Sequence, residues 1–176
     1  MKRTTLLVFL LLHQRQVALA LHMHQQNKRR RLSTTAYATD RRMGELTEPE
    51  QKVYDFLSKL HDSKYQFRVV VVGKGAILET TTELGPTLKV SQSPSTGANL
   101  MTLASEDQTF EFHVQLTEVS KIMLVEKETP SKVMRIIRML NSEGGSICSL
   151  ILAETSDKAI KWYADMQKTY GSEVVL

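Results

Sequence analysis

The sequence predicts an α+β domain in which a curved antiparallel β-sheet meander is flanked by an N-terminal and a C-terminal helix. Two observations carry this prediction. Segments with helical periodicity lie near residues 47–60 and 156–170. Between them, seven or eight short apolar or alternating runs are separated by turn-forming residues, as in a sheet built from consecutive strands. The domain is therefore expected to span residues 45–176.

The first helix is predicted to begin at a capping box. Thr47 and Glu50 have the spacing of that motif, and Pro49 lies in the first turn, where its missing N–H does no harm. Apolar residues then repeat at i, i+3, i+4 and i+7, which is typical of one face of an amphipathic helix. They are Val53, Phe56, Leu57 and Leu60.

Short strands are predicted for most of the chain between the helices. The runs are QFRVVVV (66–72), AILETTTEL (76–84), TLKVSQ (87–92), NLMTLAS (99–105), TFEFHVQL (109–116), SKIMLVEK (120–127), KVMRIIRMLN (132–141) and SICSLILA (146–153). TLKVSQ either continues the strand before it or begins another. KVMRIIRMLN has a composition that also suits a helix, but we predict a strand because residues 142–145 lead directly into SICSLILA as a hairpin.

The last helix is predicted from Ser156-Asp157, and Gly171 is expected to end it. Its apolar face consists of Ala159, Trp162, Tyr163, Met166 and Tyr170.

Residues 1–44 are predicted to be a targeting leader. Residues 1–20 have a basic start, a short apolar core and an Ala-Leu-Ala end, the pattern of a secretory signal peptide. Residues 21–44 are rich in Arg, Ser and Thr, as transit peptides are, and are expected to be disordered. The pair is similar to the bipartite leader of algae whose plastid lies in the secretory pathway, so we predict plastid (chloroplast) localisation. The alternative is a secreted protein with a basic arm.

Charge is divided between the two parts of the chain. Residues 1–44 contain nine basic residues and one acid, for a net charge of +8, and residues 45–176 have a net charge of about −4. A mildly acidic domain has no general attraction for phosphate backbones, so nucleic-acid binding is not expected. No transmembrane helix remains after the leader, so stable membrane insertion is not expected either.

The domain has few residues suited to catalysis. It contains no HExxH, CxxC or GxSxG motif. The single cysteine, Cys148, lies in an apolar run and is predicted to be a small buried hydrophobe, and His61 is predicted to lie at a helix end. The other domain histidine, His113, lies on the polar face of TFEFHVQL. It is either an ordinary hydrogen-bonded or solvent-facing residue or a ligand that lines a hollow.

The segment from EFHVQL to the last helix resembles the haem-utilisation proteins of the HemS, ChuX and HutX type. The likeness consists of a strand like FEFHVQL, a strand like SKIMLVEK, a hairpin turn like F-x-x-x-G (here residues 139–144), a strand like SICSLIL and a helix. It covers roughly residues 66–170, one copy of the unit. The resemblance implies a curved antiparallel sheet that shelters haem, and a homodimer.

What the resemblance implies for function is binding of haem or a related tetrapyrrole, for trafficking or storage. His113 lines up with the axial iron ligand of the small ChuX-like members. Arg135 and Arg138 are the candidate partners of the haem propionates, although a spacing of three on one strand puts them on opposite faces. A second family histidine is replaced near Leu78, and the arginine that often ends the strand after the hairpin is missing from LILAET.

Two other functions stay open. The replaced histidine near Leu78 and the missing arginine favour a non-catalytic module that has lost haem binding and docks another protein through the same fold. A haem-degrading enzyme would need an open iron position, an electron source and a shaped distal pocket. No residue pattern marks a distal side, so the sequence leans against an enzyme without deciding the question.

Overall fold

Two helices and nine strands make up residues 46–176, the part of the chain that the computed structural model describes. The elements in chain order are α1 (Glu48–Asp62), β1 (Gln66–Gly73), β2 (Ala76–Glu83), β3 (Thr87–Gln92), β4 (Asn99–Ala104), β5 (Glu111–Gln115), a 3-10 turn (Leu116–Glu118), β6 (Lys121–Glu128), β7 (Val133–Leu140), β8 (Ser146–Leu152), α2 (Asp157–Tyr170) and β9 (Glu173–Val175). The predicted signal peptide (1–20) and transit-like segment (21–44) lie outside the described residues.

The strands form two antiparallel sheets. The large sheet has the order β2-β1-β8-β7-β6-β9, and the small sheet has the order β3-β4-β5. The chain therefore leaves the large sheet after β2, builds the small sheet and returns to the large one at β6. The predicted α+β class is confirmed, and TLKVSQ begins a new strand in a second sheet.

The strand prediction for residues 132–141 is confirmed. β7 pairs with β6 from Val133 to Leu140 and also pairs with β8. In the turn that follows, the side-chain oxygen of Asn141 accepts hydrogen bonds from the backbone nitrogens of Glu143 and Gly145. The hairpin is thus fixed by a local turn.

Strand β9 is not predicted by the sequence. Its three residues show no useful periodicity, and they are held by pairing with β6 from Lys121 to Met123. Such a short strand depends on its partner, so a local pattern cannot reveal it.

The first helix begins at the predicted capping box and is also attached to the small sheet. The Glu50 carboxylate accepts a hydrogen bond from the backbone nitrogen of Thr47 at 2.8 Å, while the Thr47 hydroxyl oxygen accepts one from that of Glu50. The side-chain nitrogen of Asn99, the first residue of β4, donates to both Glu50 carboxylate oxygens at 3.1 and 3.2 Å. This buried carboxylate therefore joins α1 to the small sheet.

Both sheets and both helices contribute to one hydrophobic core. The predicted apolar faces of the helices are buried or pack against it, α1 through Val53, Phe56, Leu57 and Leu60 and α2 through Ala159, Trp162, Tyr163, Met166 and Tyr170. Ser156 caps α2 and Gly171 ends it, as predicted. In residues 46–176, neither helix has the length and apolar content that a membrane span requires.

Candidate functional site

His113 lies on the face of the small sheet that is turned away from the core. In an antiparallel sheet, residues opposite each other in register share a face. The row through His113 continues to Thr102 on β4 and Lys89 on β3. The predicted alternation of β5 is confirmed, because Val114 is buried in the core while His113 is exposed.

Each ring nitrogen of His113 has a polar neighbour. Nδ1 lies 2.9 Å from Oγ1 of Thr102, and Nε2 lies 3.8 Å from Oε1 of Glu111. Thr102 is 2% exposed, whereas the His113 side chain is 47% exposed. The tautomer that carries its proton on Nδ1 donates to Thr102 and keeps a lone pair on Nε2. A buried hydroxyl thus holds the ring and leaves Nε2 near the surface.

A cleft of about 270 Å³ opens beside β5, between the small sheet and the β1–β2 hairpin. Its apolar walls are formed by Val69, Val71, Leu78, Phe110 and Phe112, and its polar lining by Glu79, Thr80, Thr109 and Glu111. The rings of Phe110 and Phe112 are stacked with centroids 6.4 Å apart. The volume is slightly below the range of about 300–1,000 Å³ for small-molecule pockets. The cleft is therefore a partly open apolar groove with acidic groups at its edge.

Glu111 connects the cleft with His113. It lines the cleft, and its carboxylate is also the group that approaches Nε2. β5 is an edge strand of the small sheet, and it separates the groove, on the core side, from His113 on the outward side. Neither Thr102 nor the cleft is predicted by the sequence, since both depend on strands that are distant along the chain.

The two predicted propionate partners lie elsewhere. Arg135 and Arg138 are on β7 of the large sheet, and they face opposite sides of it, as their spacing predicts. Nε of Arg135 lies 3.0 Å from Oε1 of Glu126, an ion pair whose angle is not that of a hydrogen bond. No ion pair or hydrogen bond in residues 46–176 joins either arginine to His113. The arginines and His113 therefore lie on different sheets.

Other reactive side chains of the described domain belong to the fold. Cys148 is buried, as predicted, and burial raises the pKa of its thiol to about 12. Burial also raises the pKa of Tyr163, whose hydroxyl bonds the backbone oxygens of Val125 and Ile136. His61 lies in the last turn of α1, as predicted. Among residues 46–176, no group of three or more His, Cys, Asp or Glu side chains is placed to hold a metal ion.

Solved structures identify the architecture. The "Heme Binding Protein ChuX" is 14% identical with a TM-score of 0.55, over 69% of this chain and 74% of ChuX. A protein from Erwinia carotovora is 13% identical with a TM-score of 0.54, over 69% of this chain and 73% of that one. The chain has the ChuX-like fold. The "heme degrading enzyme ChuS" of Escherichia coli O157:H7 is 15% identical with a TM-score of 0.51, over 66% of this chain and 34% of ChuS.

The ChuX-like fold confirms the architecture that the resemblance implies. No family model matches the sequence. No curated protein matches it either. Because one fold can support unrelated functions, the function of this ChuX-like chain has to be argued from its own site.

Proposed function

We propose that the protein binds haem or a related tetrapyrrole, with Nε2 of His113 as an axial ligand of the metal. The observation that carries the proposal is a half-exposed imidazole held at Nδ1 by the buried hydroxyl of Thr102. Histidine ligands of metals commonly donate the other ring N–H to a fixed acceptor, which sets the tautomer and orients the ring. ChuX, which shares the fold, is described as a haem-binding protein.

The chemistry of His113 fits such a ligand, because imidazole is a common ligand of haem iron and would supply the bond to the metal when haem is bound. Phe110 and Phe112 line the groove on the opposite side of β5, so their rings do not belong to the face that carries His113. The carboxylates of Glu79 and Glu111 would repel the carboxylate groups of haem, because like charges repel more strongly across a groove with apolar walls. The carboxylates are therefore expected to point away from the cleft.

We propose carriage or storage as the role of this site. The His113 side chain is 47% exposed, so a macrocycle can reach Nε2 and leave it without any opening of the core. Arg135, one of the expected carboxylate partners, is paired with Glu126 instead. A ligand held at an open face by few charged groups exchanges readily, which suits transfer to another protein.

Hemin titration of the purified full-length protein tests the ligand assignment. The leader contains His13, His22 and His24, so the background protein carries all three as alanine. The background protein is expected to show a saturable Soret band at one hemin per chain. The variant His113→Ala should lose or shift that band, because the metal loses its nitrogen ligand.

Gln115→Ala is the matched control, since Gln115 is on the same face of β5 and its side chain hydrogen-bonds Thr117 and Glu118, not His113. Its band should equal that of the background protein. An unchanged band in His113→Ala would contradict the ligand assignment. A background protein without a saturable band would contradict haem binding altogether and favour the protein-interaction module.

We also propose that the protein acts in a plastid. The support is the order of its leader, in which a signal-type segment (1–20) is followed by an acid-poor basic segment (21–44).

A further inference from the structure

We propose that Lys89 binds a carboxylate of the tetrapyrrole and takes the place of the expected arginines. This inference rests on the proposed function, since it concerns the same ligand. It names a polar end of the site on the small sheet itself, whereas Arg135 and Arg138 lie on the large sheet.

The register of the small sheet places Lys89 on the face that carries His113. Lys89 pairs with Thr102, and Thr102 pairs with His113. Neighbouring strands are about 4.8 Å apart, so the backbones of Lys89 and His113 are separated by roughly 10 Å across β4. A lysine has a flexible four-carbon stem, and its ammonium group can meet an anion at the rim of a flat ligand centred on His113.

The Lys89 ammonium group is free to take such a partner. Lys89 is exposed, and within residues 46–176 no carboxylate lies within ion-pair distance of it. On the large sheet, Arg68 is paired with Glu79 and Arg135 with Glu126, whereas Arg138 is exposed and has no ion pair among the described residues. Lys89 is thus an unpaired cation in the same row as the candidate ligand His113, and it makes the β3 end of this face positive.

The acidic edge of the cleft supports the same orientation. Glu111 lies on β5 and Lys89 on β3, on the same face of the small sheet but in neighbouring rows, since Glu111 pairs with Ala104 and Lys89 with Thr102. A ligand that has a metal centre and carboxylates on one rim binds more favourably when that rim points towards β3. There the carboxylates lie near the Lys89 ammonium group and away from the carboxylate of Glu111.

The test compares hemin with hemin dimethyl ester, whose carboxylates are uncharged. Dissociation constants are measured by Soret titration with the leader-histidine background, Lys89→Gln and Lys89→Arg. Lys89→Gln is expected to bind hemin about two- to five-fold more weakly, the range of an exposed ion pair, and to bind the ester as the background does. Lys89→Arg should retain the hemin affinity, and added salt should reduce the difference between background and Lys89→Gln.

Lys74→Gln is the matched control, because it removes the same charge from the exposed turn between β1 and β2. Equal hemin affinity in Lys89→Gln and Lys74→Gln would overturn the inference, as would an equal loss for hemin and its ester. A background protein that binds neither compound would overturn the proposed function and this inference together. A background that binds hemin while Lys89→Gln is unaltered would overturn this inference alone.

Discussion

At the scale of single residues, the hydroxyl of Thr102 distinguishes His113 from an ordinary surface histidine. Its Oγ1 lies 2.9 Å from Nδ1, and its burial keeps it in place. An exposed imidazole without such an anchor rotates among rotamers, and the entropy of ordering it opposes ligand binding. Because Thr102 already orders the His113 ring, part of this entropic cost of ligand binding is avoided.

Thr102→Val is therefore expected to weaken hemin binding about ten-fold, in line with the loss of a partner behind a metal ligand. Valine keeps most of the volume but cannot accept from Nδ1. Soret titration measures the affinity, and thermal unfolding followed by circular dichroism verifies the fold. Thr87→Val is the control, because Thr87 lies on the same face and pairs with Ala104. Equal affinities in Thr102→Val and the parent protein would show that the contact has no part in binding.

The sequence predicts the face of His113 but not its neighbours. Alternation in TFEFHVQL is a property of a single strand, so it can be read directly, and it correctly separates His113 from Val114. The contacts with Thr102 and the row to Lys89 depend on the register between strands, which no local pattern specifies. Similarly, the spacing of Arg135 and Arg138 predicts opposite faces, but the Glu126 partner of Arg135 emerges only with pairing of β6 and β7.

At the scale of elements, local rules account for the ends of both helices. The Thr47–Glu50 capping box and the Ser156 cap occur as their sequences predict. The hairpin after β7 is also local, because Asn141 and Gly144 form its turn. The sequence pattern of each element does not show that β3, β4 and β5 form a separate sheet. That arrangement depends on the pairing of β1 with β8, about 80 residues later in the chain.

Gly85 is the residue at which the chain leaves the large sheet for the small one. Its φ is +75°, and a Cβ at this position would overlap the carbonyl group of Ala104 at the end of β4. Both the backbone conformation and the close approach of two strand ends therefore require glycine.

Gly85→Ala is expected to destabilise the protein by about 3 kcal/mol or more, because backbone has to move in addition to the strain of a left-handed residue. Gly75→Ala is the matched control, since Gly75 has φ +86° but open space around its Cβ position. That variant should cost only about 1 kcal/mol. Urea unfolding of both variants measures the difference, and equal losses would show that the contact with Ala104 is unimportant.

At the scale of the whole molecule, the candidate site is a product of the two-sheet arrangement. The β1–β2 hairpin of one sheet and β5 of the other enclose the groove, while the outward face of the small sheet holds Lys89 and His113. The fold class can be predicted from the sequence, because it follows from the order of helix-like and strand-like patterns along the chain. The groove cannot be predicted in this way, because it depends on how the two sheets pack.

Charge is also partitioned at this scale, with +8 in residues 1–44 and about −4 in the remainder. If the leader acts in two steps, residues 1–20 should direct entry into the secretory pathway and residues 21–44 the transfer from there into the plastid. The second step should depend on positive charge, because transit peptides are basic and poor in acid.

Fluorescent reporters expressed in an alga whose plastid lies within the secretory pathway test this division. A reporter fused to residues 1–44 is expected in the plastid, and one fused to residues 1–20 in the secretory pathway. Replacement of Arg29, Arg30 and Arg31 by glutamine within residues 1–44 should hold the reporter in the secretory pathway. The matched control replaces Gln25, Gln26 and Asn27 by serine, which leaves the charge unchanged and should leave import intact. Secretion of the 1–44 fusion into the medium would contradict plastid import and support an extracellular protein, because the basic segment would then contain no plastid-targeting signal.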